Sequence, residues 1–251
     1  MAGETIISRR TLRMCLLTIA HRADARFPLV IAANRDEDYD RPTHDAHFWS
    51  DAPGVLGGRD ALANGSWLAI ARTGRFAAVT NLRGAERKSR SRGALVRDFV
   101  TGDVTPAAYA QWISQRAEEY AGFHFFAGEA GGEAVYVTPQ SHAPLEPGIH
   151  AVSNAPVGEE WPKTALAAEE MKLALRMDDA ESMVLVLMQF LALPRGTDDV
   201  RSEVFIKGDR YGTRASTVIV VTENEIVFGE QSFTRGGVEY GKNRLFRTGR
   251  V

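Results

Sequence analysis

The residue with the clearest capacity for chemistry is the single cysteine, Cys15, which directly follows an internal methionine, Met14. If translation starts at Met14, or if the chain is cut there, the mature protein begins with Cys15. That residue would then carry both a thiol and a free α-amino group. Such a residue combines a nucleophile with its base, because the amine can accept the thiol proton. The alternative interpretation is a small buried hydrophobic residue, which is the usual role of a lone cysteine in a strand.

Polar and charged residues from Asn34 to Asp38 follow a predicted apolar strand at residues 28–33. Such a run is usually a solvated loop, but its first members leave the edge of the core here. Because consecutive strands usually pair, this strand is expected to lie beside the one that begins at Cys15. Arg35 would then stand near the thiol, where a fixed cation lowers the thiol pKa and favours the thiolate.

Two asparagines end predicted strands: Asn81 follows residues 76–80, and Asn154 follows residues 149–153. Attack of a thiolate on an amide carbonyl creates an oxyanion, which asparagine side-chain amides can stabilise without carrying charge. An asparagine that closes a strand is more often a turn residue, so both interpretations stay open. The six histidines are scattered without the spacing of a Cys/His metal site, and no metal is expected.

The elements that must position these residues alternate between strand-rich and helical stretches. Strands are predicted at residues 15–20, 28–33, 54–57, 67–71, 76–80, 123–127, 134–138, 149–153, 216–222 and 225–228. Helices are predicted at residues 93–100, 105–120, 161–175 and 179–193. Runs of strands followed by helices and then by strands predict an α+β fold of antiparallel sheets covered by helices, rather than a doubly wound parallel sheet.

Length and composition are those of an ordinary globular protein that can bury a sizeable core. A formal charge of −2 gives no electrostatic case for nucleic acid or an anionic membrane surface. One cysteine cannot form an internal disulfide, which favours a reducing compartment and a cytoplasmic location. No apolar stretch approaches the roughly 20 residues of a membrane-spanning helix.

Residues 1–13 include Arg9-Arg10 before an apolar stretch and superficially imitate a secretory or twin-arginine signal. The apolar stretch is too short, and it runs directly into His21-Arg22 without a small-residue cleavage site. We therefore interpret residues 1–13 as a removable leader or a mis-assigned start. Residues 14–251 are expected to form one domain.

The charged run contains Asn34-Arg35-Asp36-Glu37 and is followed by Arg41-Pro42. With these residues the chain resembles the family named for its Asn-Arg-Asp-Glu motif, the transport and Golgi organization proteins and their bacterial relatives. The resemblance extends from Met14 to about Val221. Its further blocks are Gly58-Arg59-Asp60, Gly65-Ser66-Trp67-Leu68, Thr80-Asn81-Leu82-Arg83, Ser91-Arg92-Gly93, Tyr120-Ala121-Gly122-Phe123, Ser153-Asn154-Ala155, Trp161-Pro162-Lys163 and the run from Tyr211 to Thr217.

That family is similar to N-terminal nucleophile hydrolases of the choloylglycine hydrolase and penicillin V acylase type. The resemblance implies a four-layer αββα sandwich of two antiparallel sheets, with Cys15 as nucleophile at a strand end between them. It also implies that Arg35 and a nearby aspartate flank the nucleophile. The motif of this family points to Asp36 as the partner of the α-amino group, whereas the spacing in the hydrolases selects Asp38. We favour Asp36.

The resemblance implies three further polar groups at this site. Asn81 and Asn154 correspond to oxyanion-stabilising or substrate-orienting asparagines, and Arg214 to a second arginine. Arg214 is alternatively a loop arginine paired with a surface carboxylate. The residues expected to bind substrate are Glu37, Trp49 and Thr213, although Trp49 is alternatively a core residue and small hydroxyl residues such as Thr213 are common at strand starts.

The function that these residues favour is hydrolysis of a linear amide by an N-terminal cysteine, through a thioester intermediate. The rival hypothesis is a binding or carrier protein without turnover, because the resembled family is linked to lipid handling, haem trafficking and secretory organisation. A scaffold with a structural cysteine is the third hypothesis. A small-molecule substrate or ligand is expected, with no cofactor, and the oligomeric state stays open.

Overall fold

The computed structural model describes residues 15–84, 88–197 and 199–251. The predicted leader at residues 1–13 and Met14 lie outside the described residues. The strands are β1 (Leu16–Asp24), β2 (Phe27–Asp38), β3 (Thr43–Trp49), β4 (Ala52–Asp60), β5 (Leu68–Ala71), β6 (Arg75–Asn81), β7 (Phe123–Glu129), β8 (Ala134–Val137), β9 (His142–Pro144), β10 (Gly148–Val152), β11 (Tyr211–Val221), β12 (Glu225–Thr234) and β13 (Val238–Gly249). The α-helices are α1 (Gly93–Thr101), α2 (Pro106–Ser114), α3 (Pro162–Ala174) and α4 (Ala180–Leu191).

The strands form two antiparallel sheets. The first sheet has the order β10-β1-β2-β11-β12-β13, and the second has the order β3-β4-β5-β6-β7-β8-β9. Strands β1 and β2 form a hairpin at the centre of the first sheet, and β11 pairs with β2 on the other side of the hairpin. The first sheet therefore joins the start of the described chain to segments that are distant in sequence.

Three apolar layers hold the fold together, because both faces of each sheet are covered. Helices α3 and α4 pack on one face of the first sheet through residues such as Met171 and Leu187. Side chains such as Ile31 and Phe76 fill the space between the two sheets. Helices α1 and α2 cover the outer face of the second sheet through Phe99 and Ile113. The predicted α+β, four-layer αββα sandwich is confirmed.

The observed elements differ from the predicted ones mainly where a strand lacks the run of apolar residues on which the strand predictions were based. Strand β2 continues to Asp38 because β11 pairs with it along the whole charged run. Strands β3, β9 and β13 are additional; β9 and most of β13 are exposed, and β3 is only partly buried, so they lack the apolar runs by which strands were predicted. The helix predicted at 105–120 is instead α2, which ends at Ser114, followed by a short 3-10 turn, Ala117–Glu119.

None of the helices in the described part of the chain combines the length and apolar character needed to cross a bilayer.

Candidate active site

Cys15 immediately precedes β1 and is half-buried at the edge of the first sheet. Leu16 pairs with Asn34 on β2, which places Cys15 beside the Asn-Arg-Asp-Glu segment. The thiol donates a long hydrogen bond to the backbone carbonyl of Asp36, with 3.9 Å between the sulfur and the oxygen. The strand pairing that was predicted from consecutive order therefore brings the cysteine and the motif together.

A cleft of about 280 Å³ opens in front of Cys15. Its wall combines residues of the charged motif with residues from the loops that precede β5 and α1. The lining residues are Cys15, Arg35, Asp36, Glu37, Arg41, Asp60, Ser66, Trp67, Val79, Asn81, Lys88, Ser89, Arg90, Ser91, Arg92, Gly93 and Ala121. Most of these residues are therefore polar or charged, and five of them are cationic.

Alternation along β2 separates the motif into two sets, since successive side chains of a strand point to opposite faces. Asn34 lies on the face covered by helices, where its Nδ2 donates to the carbonyls of Leu191 and Val204, each at 2.8 Å. Asp36 shares that face by register. Arg35 and Glu37 point to the opposite face and line the cleft.

Arg35 is 7% exposed and is fixed from three directions. Its Nη1 donates to Thr43 Oγ1 at 3.2 Å, and its Nη2 lies 3.8 Å from a carboxylate oxygen of Glu37. Its guanidinium carbon lies 4.4 Å from the centre of the Trp67 ring, within the range of a cation–π interaction. These contacts hold a cation at the wall of the cleft.

Gly58 on β4 makes room for the ring that supports Arg35. A Cβ atom at Gly58 would overlap Cη2 of Trp67, because it would lie closer than two non-bonded carbon atoms can approach. The absence of a side chain at Gly58 is therefore required for Trp67 to reach its position under Arg35.

Asn154 connects the cysteine to the second sheet. The backbone N–H of Cys15 donates to Asn154 Oδ1, and Asn154 Nδ2 donates to the carbonyl of Asn81 at 2.6 Å. Asn154 is fully buried, and His124 Nε2 lies 2.9 Å from the carbonyl of the next residue, Ala155. Asn81 lines the cleft directly. Asn154 thus links Cys15 to Asn81, and the predicted role of the two asparagines in stabilising an oxyanion stays a prediction.

The thiol of Cys15 is not acidic. Burial and, next, the negative charge of Asp36 raise its pKa to about 12, and these effects outweigh the hydrogen bond to Asp36 and the charge of Arg35, which lower it. The expectation that Arg35 would produce a thiolate is therefore wrong, because desolvation of the charged form dominates here. A base must remove the proton when this sulfur attacks.

We accordingly expect Cys15 of the folded full chain to resist alkylation near neutral pH. Because the raised pKa leaves little thiolate, labelling should be on the order of 10²–10³-fold slower than in the urea-unfolded chain. The rate should keep increasing as the pH rises towards about 12. Iodoacetamide labelling followed by intact mass measures both rates. Equal rates in the folded and unfolded chain would contradict the assignment.

Asp36 and Asp38 occupy different environments. Asp36 is 3% exposed, and its Oδ1 accepts a hydrogen bond from Thr213 Oγ1 at 2.7 Å. Burial raises the pKa of Asp36 to about 7, against the opposing effects of Lys163 and Thr213. Asp38 lies at the end of β2 and forms a solvent-exposed ion pair with Arg210 at 3.4 Å. Of the two carboxylates, Asp36 is the one held beside Cys15.

Arg214 and Trp49 lie in other parts of the fold, and Thr213 does not line the cleft either, because it is fully buried behind Asp36. A register shift interrupts β11 between Thr213 and Ala215, and Arg214 at this point donates to the carbonyl of Phe233 at 3.2 Å and lines a separate cavity. Trp49 is buried on the outer face of the second sheet, against α1, and its Nε1 donates to the Gly57 carbonyl at 2.9 Å. Arg214 lies away from the cleft because of the register shift in β11. Trp49 lies away from it because its side chain is on the outer face of the second sheet.

Three residues near the site belong to blocks of the family resemblance but were not predicted as site residues. Trp67 supports Arg35, the Tyr211 hydroxyl donates to the Asp36 carbonyl at 3.1 Å, and Lys163 is fully buried within electrostatic range of Asp36 and Cys15. One signal for Lys163 was available. A lysine in the first turn of a helix is unfavourable next to the positive end of the helix dipole, so a buried one there needs a counter-charge.

The described residues hold no cluster of three or more His, Cys, Asp or Glu side chains suited to a metal ion.

The fold resembles solved structures of acylases. Penicillin V acylase from Agrobacterium tumefaciens aligns with a TM-score of 0.57 at 12% identity, covering 94% of this chain and 86% of that chain. A mutant of conjugated bile acid hydrolase from Clostridium perfringens aligns with a TM-score of 0.52 at 8% identity, covering 94% and 92%. At these identities the similarity establishes the fold alone.

Sequence comparison identifies closer relatives. The model of the family described as Transport and Golgi organisation 2 matches residues 14–235. The Transport and Golgi organization protein 2 homolog of Bos taurus is 31% identical over 239 residues, covering 82% of this chain and 87% of that protein. The Homo sapiens homolog is 29% identical over 253 residues, covering 88% and 92%. The chain therefore belongs to the Transport and Golgi organisation 2 family.

Proposed function

We propose that this protein is an N-terminal cysteine amidohydrolase that cleaves the linear amide bond of a small N-acyl compound. The observation that carries the proposal is the position of Cys15. Its thiol faces a cleft between the sheets, its backbone nitrogen contacts Asn154, and Asp36 is buried beside it. The fold similarity to a penicillin acylase and a bile acid hydrolase supports a reaction of this class.

In the proposed mechanism, the α-amino group of a chain that begins at Cys15 accepts the proton of the thiol. A free α-amine titrates at about 7.7–8.0, so it is partly neutral near physiological pH. This base is needed because the thiol pKa is about 12 and little thiolate exists beforehand. The sulfur attacks the amide carbonyl, and the side-chain amide of Asn81 stabilises the oxyanion from the wall of the cleft.

Collapse of the tetrahedral intermediate breaks the carbon–nitrogen bond and leaves a thioester on Cys15. The α-ammonium returns its proton to the leaving amine, so the base is restored. Water, deprotonated by the same amine, then attacks the thioester, which releases the carboxylic acid and returns the thiol. Asn154 would keep the amine in position throughout, since it already contacts the nitrogen of Cys15.

The charges at the cleft indicate which amides to test. Arg35 and Arg41 lie inside it, and Lys88, Arg90 and Arg92 lie on the loop at its rim. Glu37 and Asp60 offset part of this charge through ion pairs with Arg41 at 3.7 and 2.5 Å. An N-acyl amide that carries a carboxylate should therefore bind better than its neutral counterpart.

A carrier without turnover is the alternative, and one observation favours it. A half-buried thiol with a pKa of about 12 is unreactive unless a base is supplied. If the chain keeps a residue before Cys15, the nitrogen of Cys15 is an amide and cannot act as that base. The same cleft would then bind an acyl or tetrapyrrole ligand without cleaving it.

The deciding experiment compares two forms of the protein on a panel of N-acyl amides with and without carboxylates. One form begins at Met14, which cellular aminopeptidase removes before a small residue to leave Cys15, as intact mass verifies. The other is the 251-residue chain. We expect hydrolysis by the short form only. Saturable ligand binding by both forms, with hydrolysis by neither, would favour the carrier.

We further propose that residues 14–251 act as one domain and that residues 1–13 are absent from the active form. The start of the family match at residue 14 supports both statements. The single cysteine favours the reducing cytoplasm as the location.

A further inference from the structure

Lys163 is the second residue of α3 and is completely buried. Its Nζ atom has no hydrogen-bond partner among the described residues, and the nearest aromatic group is Trp161, with 5.7 Å between Nζ and the ring centre. A buried ammonium with no partner is costly, because it has lost its water without compensation. Such a buried charge requires compensation from a nearby group of opposite charge.

Asp36 carries the matching unpaired atom. Thr213 occupies Oδ1 of Asp36, but Oδ2 is buried and has no hydrogen-bond partner among the described residues. The titratable groups whose charges act on the pKa of Lys163 are Asp36, first, and then Cys15 and Glu203. Glu203 is already engaged, since its two carboxylate oxygens accept from the backbone nitrogens of Arg195 at 2.5 Å and Thr197 at 3.2 Å. Asp36 is therefore the group that Lys163 serves.

We propose that Lys163 is a positioning residue of the Cys15 site, which acts from the helix-covered face of the first sheet to keep Asp36 ionised beside Cys15. In a chain that begins at Cys15, an ionised Asp36 can hold the protonated form of the α-amino group. The role in catalysis rests on the proposed function, but the charge coupling between Lys163 and Asp36 does not.

The charge of each group opposes the effect that burial has on the pKa of the other group. Burial raises the pKa of Asp36 to about 7, and the charge of Lys163 acts against this rise. Burial likewise lowers the pKa of Lys163, and Asp36 acts against that change. Loss of the cation should therefore leave Asp36 protonated at neutral pH. Because ionised Asp36 raises the thiol pKa of Cys15, the change should also be visible at the thiol.

The test uses the full chain and the substitution Lys163→Met, which removes the charge and keeps most of the length. The carboxyl carbon of Asp36 is titrated by NMR in protein made with ¹³C-labelled aspartate, and Asp36→Asn identifies its signal. We expect the titration midpoint of Asp36 to rise by about one pH unit or more. Lys172→Met, on the exposed side of the same helix, is the matched control and should leave the midpoint unchanged.

Alkylation of Cys15 supplies a second reading that a purely structural role would not change. In the wild type, the logarithm of the rate should rise less steeply with pH around the midpoint of Asp36, because the thiol pKa increases as Asp36 ionises. In Lys163→Met this change of slope, or break, in the rate profile should move to higher pH together with the NMR midpoint of Asp36. An unchanged midpoint and an unchanged break would overturn the proposal.

A double-mutant cycle covers the case in which Lys163→Met folds but is too unstable for the NMR titration. Removing either charge alone leaves the other buried and uncompensated, so Lys163→Met and Asp36→Asn should each lower the urea midpoint. The loss of stability in the double variant should be clearly smaller than the sum of the losses in the two single variants. Additive losses would overturn the coupling. Absence of amide hydrolysis, with the titration shift present, would count against the proposed function and leave this inference standing.

Discussion

Replacement of Cys15 by alanine should abolish amide hydrolysis by the form of the protein that begins at this residue. The substitution removes the only thiol and retains the α-amino group, so no covalent thioester can form. Loss of a nucleophile typically lowers the rate by about 10⁴-fold or more. Hydrolysis of the panel of N-acyl amides, followed by chromatography of the released amine, measures the loss.

The same substitution should leave the fold and the binding of ligand nearly intact. Cys15 is half-buried at the edge of the sheet, and alanine removes one sulfur atom from this position. We expect the free energy of unfolding in urea to change by less than about 1.5 kcal/mol. Cys15→Ser is the companion variant and should retain at most weak activity. Hydrolysis that persists in Cys15→Ala would identify a different nucleophile and reject the mechanism.

Replacement of Asn154 by alanine should damage both stability and activity. This fully buried side chain accepts a hydrogen bond from the nitrogen of Cys15 and donates one to the Asn81 carbonyl. Its removal leaves both backbone groups without that partner, at a cost of about 2–4 kcal/mol in the free energy of unfolding. Urea unfolding followed by circular dichroism measures this cost.

Hydrolysis by Asn154→Ala should fall by about 10²–10³-fold, because the nitrogen that acts as base loses its fixed position. The decrease should appear in kcat more than in KM, since Asn154 lies behind Cys15 and not among the cleft-lining residues. Asn224→Ala, in the exposed turn between β11 and β12, is the matched control and should change neither quantity. If Asn154→Ala is as stable as the wild type, the hydrogen bonds of Asn154 to Cys15 and Asn81 contribute nothing to the free energy of unfolding.

The sequence by itself determined the fold class. The apolar runs that became β1, β2, β11 and β12 are strongly buried, so local pattern and burial agree there. Strand β13 could not be found in this way. It is an edge strand with largely exposed side chains, and its backbone pairing with β12 defines it. Pairing also carries β2 through its charged end, where propensity predicts a loop.

The sequence singled out Cys15, Arg35, Asp36, Asn81 and Asn154 from residue type, strand ends and a family resemblance. The structure places these residues near one another, and their catalytic roles stay a prediction. Only the tertiary structure decided where Arg214 lies, because a register shift in β11 depends on its partner strand. Only burial decided the character of the thiol, since desolvation outweighs the nearby arginine. Lys163 likewise acquires its significance from α3 packing over the first sheet, which buries its charge within electrostatic range of Asp36. Local sequence shows none of these three effects, because strand register, burial and charge proximity arise between segments that are distant along the chain.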